Sequence, residues 1–546
     1  MTDEITIAPA STWRQILSRP SDAFVAEVAR LRAETPTDAK HAIGWYRTLL
    51  DGAIETFQRD PDDDVTLIRA PGRVNLLGTH IDHRGGRVNP IAVRELMLIV
   101  FPRTDNRVRI ANADSTFPRD EFAIADLLPD GPVSDWPDWT LSTPNRLKEQ
   151  NLLGTWGSYV RAACAYMANT WGAPETVRGF DLYVDTQLPP SAGLSSSSAL
   201  TVGSAIALHI VNERAFDRRE LAEQMGQAEW YVGTRGGSGD QSAILLSKAS
   251  HVSHIDFFPI TVDWSPWPDG YSVVVAHSRV AAQKTAGARS TFNERVATYV
   301  IALFWIKHLR PEWAPKLTHL RDVLRLGLEL QEIYMVLREL PFRASRQRIL
   351  AALPEFRADI EKLFGTHDDP DEGYRVRDVC LYGLAEMTRS ERLAAYLRAG
   401  DIENVGMLVD MSHEGDRVTQ YDEFSDERIP VDTGLPDEEI EGLIVACEID
   451  DEFMGEATDL AQQPGGYACS SPALDELVDL AHEVPGVIGA GLIGAGIGGC
   501  VEIIVENDAI DELRSMLIDG YYEPNNREPF IEVMRPVDGA GPIPIR

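Results

Sequence analysis

Four segments of the 546-residue chain gather residues able to do chemistry. The first is Leu188-Pro-Pro-Ser-Ala-Gly-Leu-Ser-Ser-Ser-Ser-Ala-Leu, which follows a strand-like run and enters a helical pattern. Small residues there let the backbone approach an anion, and the free amides of a helix start point at it. The serine hydroxyls add hydrogen bonds and an oxygen ligand for magnesium. A Ser/Gly linker would not sit between a strand and an apolar helix, and the Gly-Lys-Ser/Thr ending of a Walker loop is missing. The segment reads as a phosphate cradle.

The second segment is Arg69-Ala-Pro-Gly-Arg-Val-Asn-Leu-Leu-Gly-Thr-His-Ile-Asp-His-Arg-Gly-Gly. It packs Arg73, Asn75, His80, Asp82 and His83 between turn glycines, which suits recognition of a ligand with many hydroxyls. The alternative is a solvated loop, and a zinc site from His80, Asp82 and His83 fits no helix or finger spacing. In the third segment, Gly233-Thr-Arg-Gly-Gly-Ser-Gly-Asp-Gln-Ser, Asp240 follows a glycine-rich turn and precedes the strand-like run Ala243-Ile-Leu-Leu. Such a turn can bring an acid up to a substrate hydroxyl, although an Asp after Gly is often a turn residue only. The fourth, Gly486-Val-Ile-Gly-Ala-Gly-Leu-Ile-Gly-Ala-Gly-Ile-Gly-Gly-Cys, contains GxGxxG-like spacings. A dinucleotide fingerprint needs strand, glycines and helix in that order, and here the glycines precede a strand, so that reading is rejected.

The elements that must hold these segments are a mixture of strand runs and helix runs, as expected of an α+β chain of more than one domain. Helical spacing covers about Asp22 to Gln58, and Val65-Thr-Leu-Ile-Arg-Ala reads as a strand closed by Pro71-Gly72. Val88 to Pro102, Phe180-Asp-Leu-Tyr-Val-Asp, Tyr271-Ser-Val-Val-Val-Ala-His and Val501-Glu-Ile-Ile-Val-Glu read as strands. Ala199 to Val211, Leu221 to Val232 and most of Thr291 to Ala399 read as helical, and the acidic stretch 421–463 reads as an insertion. The expected division is an N-terminal helical extension (1–64), a first domain (65–262) carrying three of the segments, and a second domain (263–546).

With 51 basic against 85 acidic residues the formal charge is -34. Such a surface repels nucleic acid and anionic membranes, so an anionic substrate needs a locally positive, amide-lined pocket. Five scattered cysteines without a CxxC pair, no apolar run long enough to span a bilayer and no signal-like N-terminus lead to the expectation of a cytoplasmic protein.

In this order the segments resemble the galactokinase branch of the galactokinase, homoserine kinase, mevalonate kinase and phosphomevalonate kinase (GHMP) superfamily. Gly72-Arg-Val-Asn-Leu-Leu-Gly-Thr-His-Ile-Asp-His resembles the galactokinase signature, Pro189 to Ala199 the phosphate loop, and Gly494-Ala-Gly-Ile-Gly-Gly-Cys the third motif. Trp156-Gly-Ser-Tyr-Val, Phe292-Asn-Glu-Arg, Met411-Ser-His and Ser471-Pro-Ala-Leu-Asp-Glu-Leu add smaller matches, so the resemblance runs from about Val65 to Val505.

The resemblance implies a two-domain GHMP kinase fold, with ATP, magnesium and a small sugar bound in the interdomain cleft. Asp240 would be the base on the anomeric hydroxyl, with Arg73 beside it stabilising the transferring phosphoryl group. Gly193, Leu194, Ser195, Ser196, Ser197 and Ser198 would wrap the nucleotide phosphates, with Ser197 and Glu229 as metal ligands. Thr79, His80, Asp82 and Phe292 would line the sugar.

Four departures from the family pattern stand out. Thr79 replaces the usual signature glutamate, and Phe292 replaces a tyrosine. An ungapped match puts Ala228 where a metal-binding glutamate is usual, with Glu229 one residue late. Ser191 replaces a loop glycine, and Gly491 stands where a basic residue is common. Two like charges ~4 Å apart repel by ~4 kcal/mol at an effective dielectric of about 20. Threonine in place of the signature glutamate therefore opens the pocket to a uronic acid; Arg84 or Arg87 could supply a carboxylate partner, although each reads more readily as a surface arginine. Thr-His-Ile-Asp-His-Arg-Gly-Gly and Gly-Asp-Gln-Ser-Ala-Ile-Leu-Leu-Ser also resemble plant-type galacturonate kinases. The leading expectation is a sugar 1-kinase for a galactose-shaped substrate, with galacturonate or a non-catalytic sugar sensor as alternatives. The oligomeric state is left open.

Overall fold

The computed structural model describes residues 7–189, 193–280, 286–422, 424–425, 427–449 and 451–545. Pro190, Ser191 and Ala192 of the phosphate loop lie outside the described residues.

The first half is built on a seven-stranded sheet. Its path runs Ala8–Pro9, Asp64–Asn75, Pro90–Pro102, Phe180–Thr186, Arg107–Asn112, Asp120–Ala123, with Gly541–Pro542 also paired to Asp64–Asn75. All its pairings are antiparallel except that of Arg107–Asn112 with Phe180–Thr186. One face packs on the helices Gly157–Trp171 and Ser196–Val211 through Leu98, Val100, Leu182, Ala163 and Ile206. The other face meets the N-terminal helices Ala10–Ser18, Asp22–Arg32 and Pro36–Phe57, whose Trp13, Phe24 and Tyr46 close over Leu67, Met97, Ile99 and Phe101. The N-terminal helices are thus the second cover of the sheet, as a two-faced apolar strand such as Pro90–Pro102 requires.

Two sequence expectations are corrected here. The strand after Asp64 does not close at Pro71-Gly72 but continues to Asn75, because a register shift between Ala70 and Gly72 takes up the proline. The run Ala243–Leu246 is not a strand. It belongs to the helix Gly239–Leu246, which puts Asp240 in a first helical turn.

The second half holds a four-stranded antiparallel sheet in the order Val487–Leu492, Cys500–Glu506, Tyr271–His277, Ile531–Met534. The helices Pro472–His482 and Ile510–Leu517 cover one face through Leu474, Leu477, Leu513 and Leu517. A separate core forms around the long helices Ala286–Leu309 and Val376–Ala399, with Tyr299, Leu303, Tyr382 and Met387.

The expected division at 262/263 falls inside a hairpin, since Thr261–Pro266 pairs with His251–Asp256. The chain's last strand also returns to the first sheet, with Gly541 opposite Arg69. The chain on either side of the acidic stretch is pinned together: Tyr467 and Ala468 donate to Gly415 O and Ser470 donates to Asp416 O. Its acids pair with arginines of the preceding helical region: Asp432 with Arg343 and Arg375, Asp437 with Arg377, and Asp459 with Arg392. Among the described residues no helix is long and apolar enough to cross a membrane.

Candidate active site

The serine loop feeds the helix Ser196–Val211. Ser195, at φ 57°, stands just before it; its hydroxyl donates to Asp240 Oδ2 at 2.5 Å and accepts nothing from the helix's own first-turn amides. Uncapped first-turn amides of this kind are the groups an anion would meet. The strand carrying Arg73 lies directly under the loop: Arg73 N donates to Leu194 O, and a Cβ on Gly72 would sit 2.4 Å from that same oxygen. From above, Gly494 of the third motif packs on the loop at φ 78°, where a Cβ would come 3.1 Å from Gly193 O. The later glycines of the fourth segment, Gly494 to Gly499, therefore form a turn between the strands Val487–Leu492 and Cys500–Glu506 that packs on the phosphate loop.

Arg73 and Asp240 meet as expected. Arg73 Nε donates to Asp240 Oδ1 at 2.8 Å, and Arg73 Nη1 donates to Gly193 O at 2.6 Å. One guanidinium thus touches both the acid and the serine loop, a bidentate use that lysine could not copy. Both residues line an open cleft of about 210 Å³ between the two halves, together with Asn75, Thr79, His80, Asp82, His83, Glu229, Gln241 and, from the second half, Phe292, Gly494 and Ala495. Arg73 is the only lysine or arginine among its described lining residues.

Asp82 is spoken for on both oxygens. Oδ2 accepts from Gly239 N at 2.9 Å and Oδ1 accepts from His83 Nδ1 at 3.0 Å. Burial pushes the Asp82 pKa up, but these hydrogen bonds outweigh it and hold it at about 2. Burial, helped by the Arg84 charge, lowers His83 to about 4, so at neutral pH the pair is a carboxylate with a neutral imidazole. Asp82 therefore fixes the start of the helix that carries Asp240, and this leaves less of it to meet a sugar than the sequence suggested. His80, at φ 67°, stacks on Tyr467 with ring centroids 4.1 Å apart, and its Nε2 lies 3.3 Å from Asp416 Oδ2. The backbone N–H groups of Gly78 and Thr79 donate to Glu386 Oε1.

Ala228 is fully buried, while Glu229 begins a short 3₁₀ turn and lines the cleft. Glu229 Oε1 accepts from Gln241 Nε2 at 2.9 Å, and Gln241 reaches Ser198 Oγ at 3.4 Å. Gln241 Oε1 is buried without a hydrogen-bond partner. Carboxylate, amide carbonyl and serine hydroxyl make an all-oxygen set, the kind that suits magnesium. Among the described residues no group of three or more His, Cys, Asp or Glu side chains is arranged for a metal.

Arg84 and Arg87, the candidate carboxylate partners, both turn elsewhere. Arg87 grips Asp256 through Nε and Nη2 at 3.0 and 2.8 Å. Arg84 donates to Val296 O and lies over the Tyr299 ring. Sequence reasoning missed Glu386 and Gln241. The first lies in a long helix with no nearby motif, whereas the second was in view as the neighbour of Asp240.

Residues 54–103 match the galactokinase galactose-binding signature, 158–248 the GHMP kinases N terminal domain and 445–523 the GHMP kinases C terminal domain. A galactokinase of Roseiflexus sp. (strain RS-1) is 28% identical over 479 residues, covering 87% of this chain and 93% of its own. One of Dictyostelium discoideum is 25% identical over 484 residues, covering 86% and 87%. The crystal structure of Lactococcus lactis galactokinase complexed with galactose shares the fold, with a TM-score of 0.61 at 18% identity over 90% of this chain and 98% of that one. Signature, phosphate loop and glycine turn converge on one cleft in an α+β frame, and the chain carries the N- and C-terminal GHMP kinase domains together with a galactokinase galactose-binding signature.

Proposed function

We propose that this sugar kinase transfers the γ-phosphoryl group of ATP to the anomeric hydroxyl of a neutral, galactose-shaped sugar. The observation that carries the reading is the contact of Asp240 with both Arg73 and Ser195, which joins a base in the sugar cleft to the phosphate loop.

In this mechanism Asp240 takes the hydroxyl proton as the sugar oxygen bonds to the γ-phosphorus and the bond to the β-phosphate oxygen breaks, releasing ADP. The first-turn amides of Ser196, Ser197 and Ser198 hold the phosphates, and Arg73 offsets the charge that develops between them and Asp240. Glu229 and a loop hydroxyl, Ser197 or Ser198, would hold magnesium, with Gln241 orienting Glu229; the ion neutralises phosphate charge when bound. Thr79, His80 and Phe292 form the sugar wall.

A neutral sugar is favoured over a uronate because Arg73, the one guanidinium among the cleft's described lining residues, is already engaged, while Asp82, Asp240 and Glu229 bring three acidic side chains. The absence of a signature glutamate removes one repulsion but supplies no cation.

The test is ADP release with MgATP across galactose, galacturonate, glucuronate and L-arabinose, with Asp240→Asn as control. Turnover of galactose or L-arabinose, lost in the control, supports the proposal. Turnover of galacturonate alone overturns the neutral-sugar part. Sugar binding without ADP release from any of them points to a sensor.

A further inference from the structure

Two of the departures from the family pattern, Thr79 and Gly491, lie 412 positions apart in the chain but line the same cavity. It sits behind Thr79, is walled by Leu76, Val409, Ser412, His413, Asp416, Leu492 and Glu502, and is just large enough for one water molecule or one hydroxyl group. Thr79 lines this cavity and the sugar cleft alike, so its short side chain is the partition between them.

Gly491 and Glu502 are direct partners across neighbouring antiparallel strands. A Cβ at 491 would lie 3.8 Å from Glu502 Oε1, so any longer side chain there would compete for the space the carboxyl group occupies. Glu502 is 2% exposed, and its Oε2 has no hydrogen-bond partner. A buried polar atom of this kind calls for a partner. The other polar walls do not supply one: Ser412 donates to Glu386, and His413 faces Asp475 through Nε2 at 3.4 Å.

We propose that Glu502 is a specificity-determining residue that receives, past the short side chain of Thr79, the C6 hydroxyl group at the end of the sugar remote from Asp240. This rests on the sugar-kinase reading. A pyranose with its anomeric hydroxyl at Asp240 turns its C4 and C6 hydroxyls to the opposite end, and the cavity has room for one such oxygen but not for the two of a carboxylate. Burial with only Arg73 to oppose it pushes the Glu502 carboxyl well above its usual range. A neutral carboxyl group both gives and takes a hydrogen bond, which suits a hydroxyl partner.

The experiment compares galactose with 6-deoxygalactose in wild type, Glu502→Val and Glu502→Gln, by kcat/KM and by calorimetric sugar binding. Valine is expected to lower kcat/KM for galactose by about tenfold or more while changing 6-deoxygalactose less than about threefold, because only the hydroxylated sugar loses its partner. Glutamine, neutral and of the same shape, restores most of the galactose preference. Equal losses on both sugars, or none, overturn the proposal. If the valine variant does not fold, Thr79→Val gives the second reading: an unchanged preference overturns the proposal and a reduced one supports it. Sugar binding without turnover in wild type would sink the kinase reading and leave the subsite to be judged by the binding ratios. Wild type that neither binds nor turns over either sugar overturns both.

Discussion

Glu386 holds Thr79 by its backbone: one carboxylate oxygen accepts the N–H groups of Thr79 and Gly78 at 3.1 and 2.7 Å. The same carboxylate binds Arg389 Nε at 2.8 Å, and both side chains are fully buried. Arg389 in turn donates to Gln463 O, where the acidic stretch rejoins the frame. The sugar signature of the first half is therefore positioned by an ion pair of the second, and the shape of the cleft depends on how the halves dock.

Removing one partner of a buried pair leaves the other charge unpaired. Glu386→Ala is expected to cost ~3–5 kcal/mol of stability, read as a shift of the denaturant midpoint. Glu386→Met with Arg389→Leu should recover much of that loss. It should not recover sugar affinity, because the two amides still lack their acceptor. Recovery of both would show that the pair serves stability alone.

Asp240→Asn keeps the shape and loses the base. A fall in kcat of ~10²–10⁴-fold with little change in sugar Kd is expected. Arg73→Lys keeps the charge but cannot span Asp240 and Gly193 O together, so kcat should fall and the KM for ATP rise. A wild-type kcat in the asparagine variant would remove Asp240 from the chemistry.

How much of this was legible in the sequence follows from where each contact lies along the chain. The cradle, Arg73 and Asp240 were readable because each sits in a short run whose residue types carry the chemistry. Glu386 was not, since a Glu-x-x-Arg pair inside a helix looks the same in water or in a core, and only tertiary burial distinguishes them. The helix Gly239–Leu246 was misread because a four-residue apolar run carries no period, and the turn before it decides its state. The acidic stretch reads in the sequence as an insertion. In the fold its Leu435, Ile440 and Leu460 join the helical core while its carboxylates meet arginines already there. The return of Gly541–Pro542 to the first sheet left no local trace at all, being a pairing across 472 positions with Arg69.

Gly72→Ala tests the bed of the phosphate loop. The added carbon would lie 2.4 Å from Leu194 O and 2.7 Å from Leu188 Cδ2, and backbone must move to relieve the first contact. The KM for ATP should rise by about tenfold or more while sugar binding in the absence of nucleotide changes little. An unchanged KM would mean that the loop takes its shape from the glycine turn above it.

Acid should weaken the fold well above the carboxylate range. Burial lowers His83, His209, His254, His277 and His367 each to about 4, and nearby arginines add to it at His83, His254, His277 and His367. Groups whose folded pKa lies below the unfolded value of about 6.5 take up protons on unfolding throughout that interval. Their contribution is complete above pH 6.5 and declines as pH falls toward 4, at ~1.4 kcal/mol per pH unit for each histidine within the window. His482, raised by its bond to Asp410, opposes them singly. The denaturant midpoint should therefore drop steeply between pH 7 and pH 5, and unfolding at pH 5 should absorb about four protons. Equal midpoints at the two pH values would mean that these imidazoles reach solvent in the native state, and the packing of His83 beside Asp82 would be the first contact to re-examine.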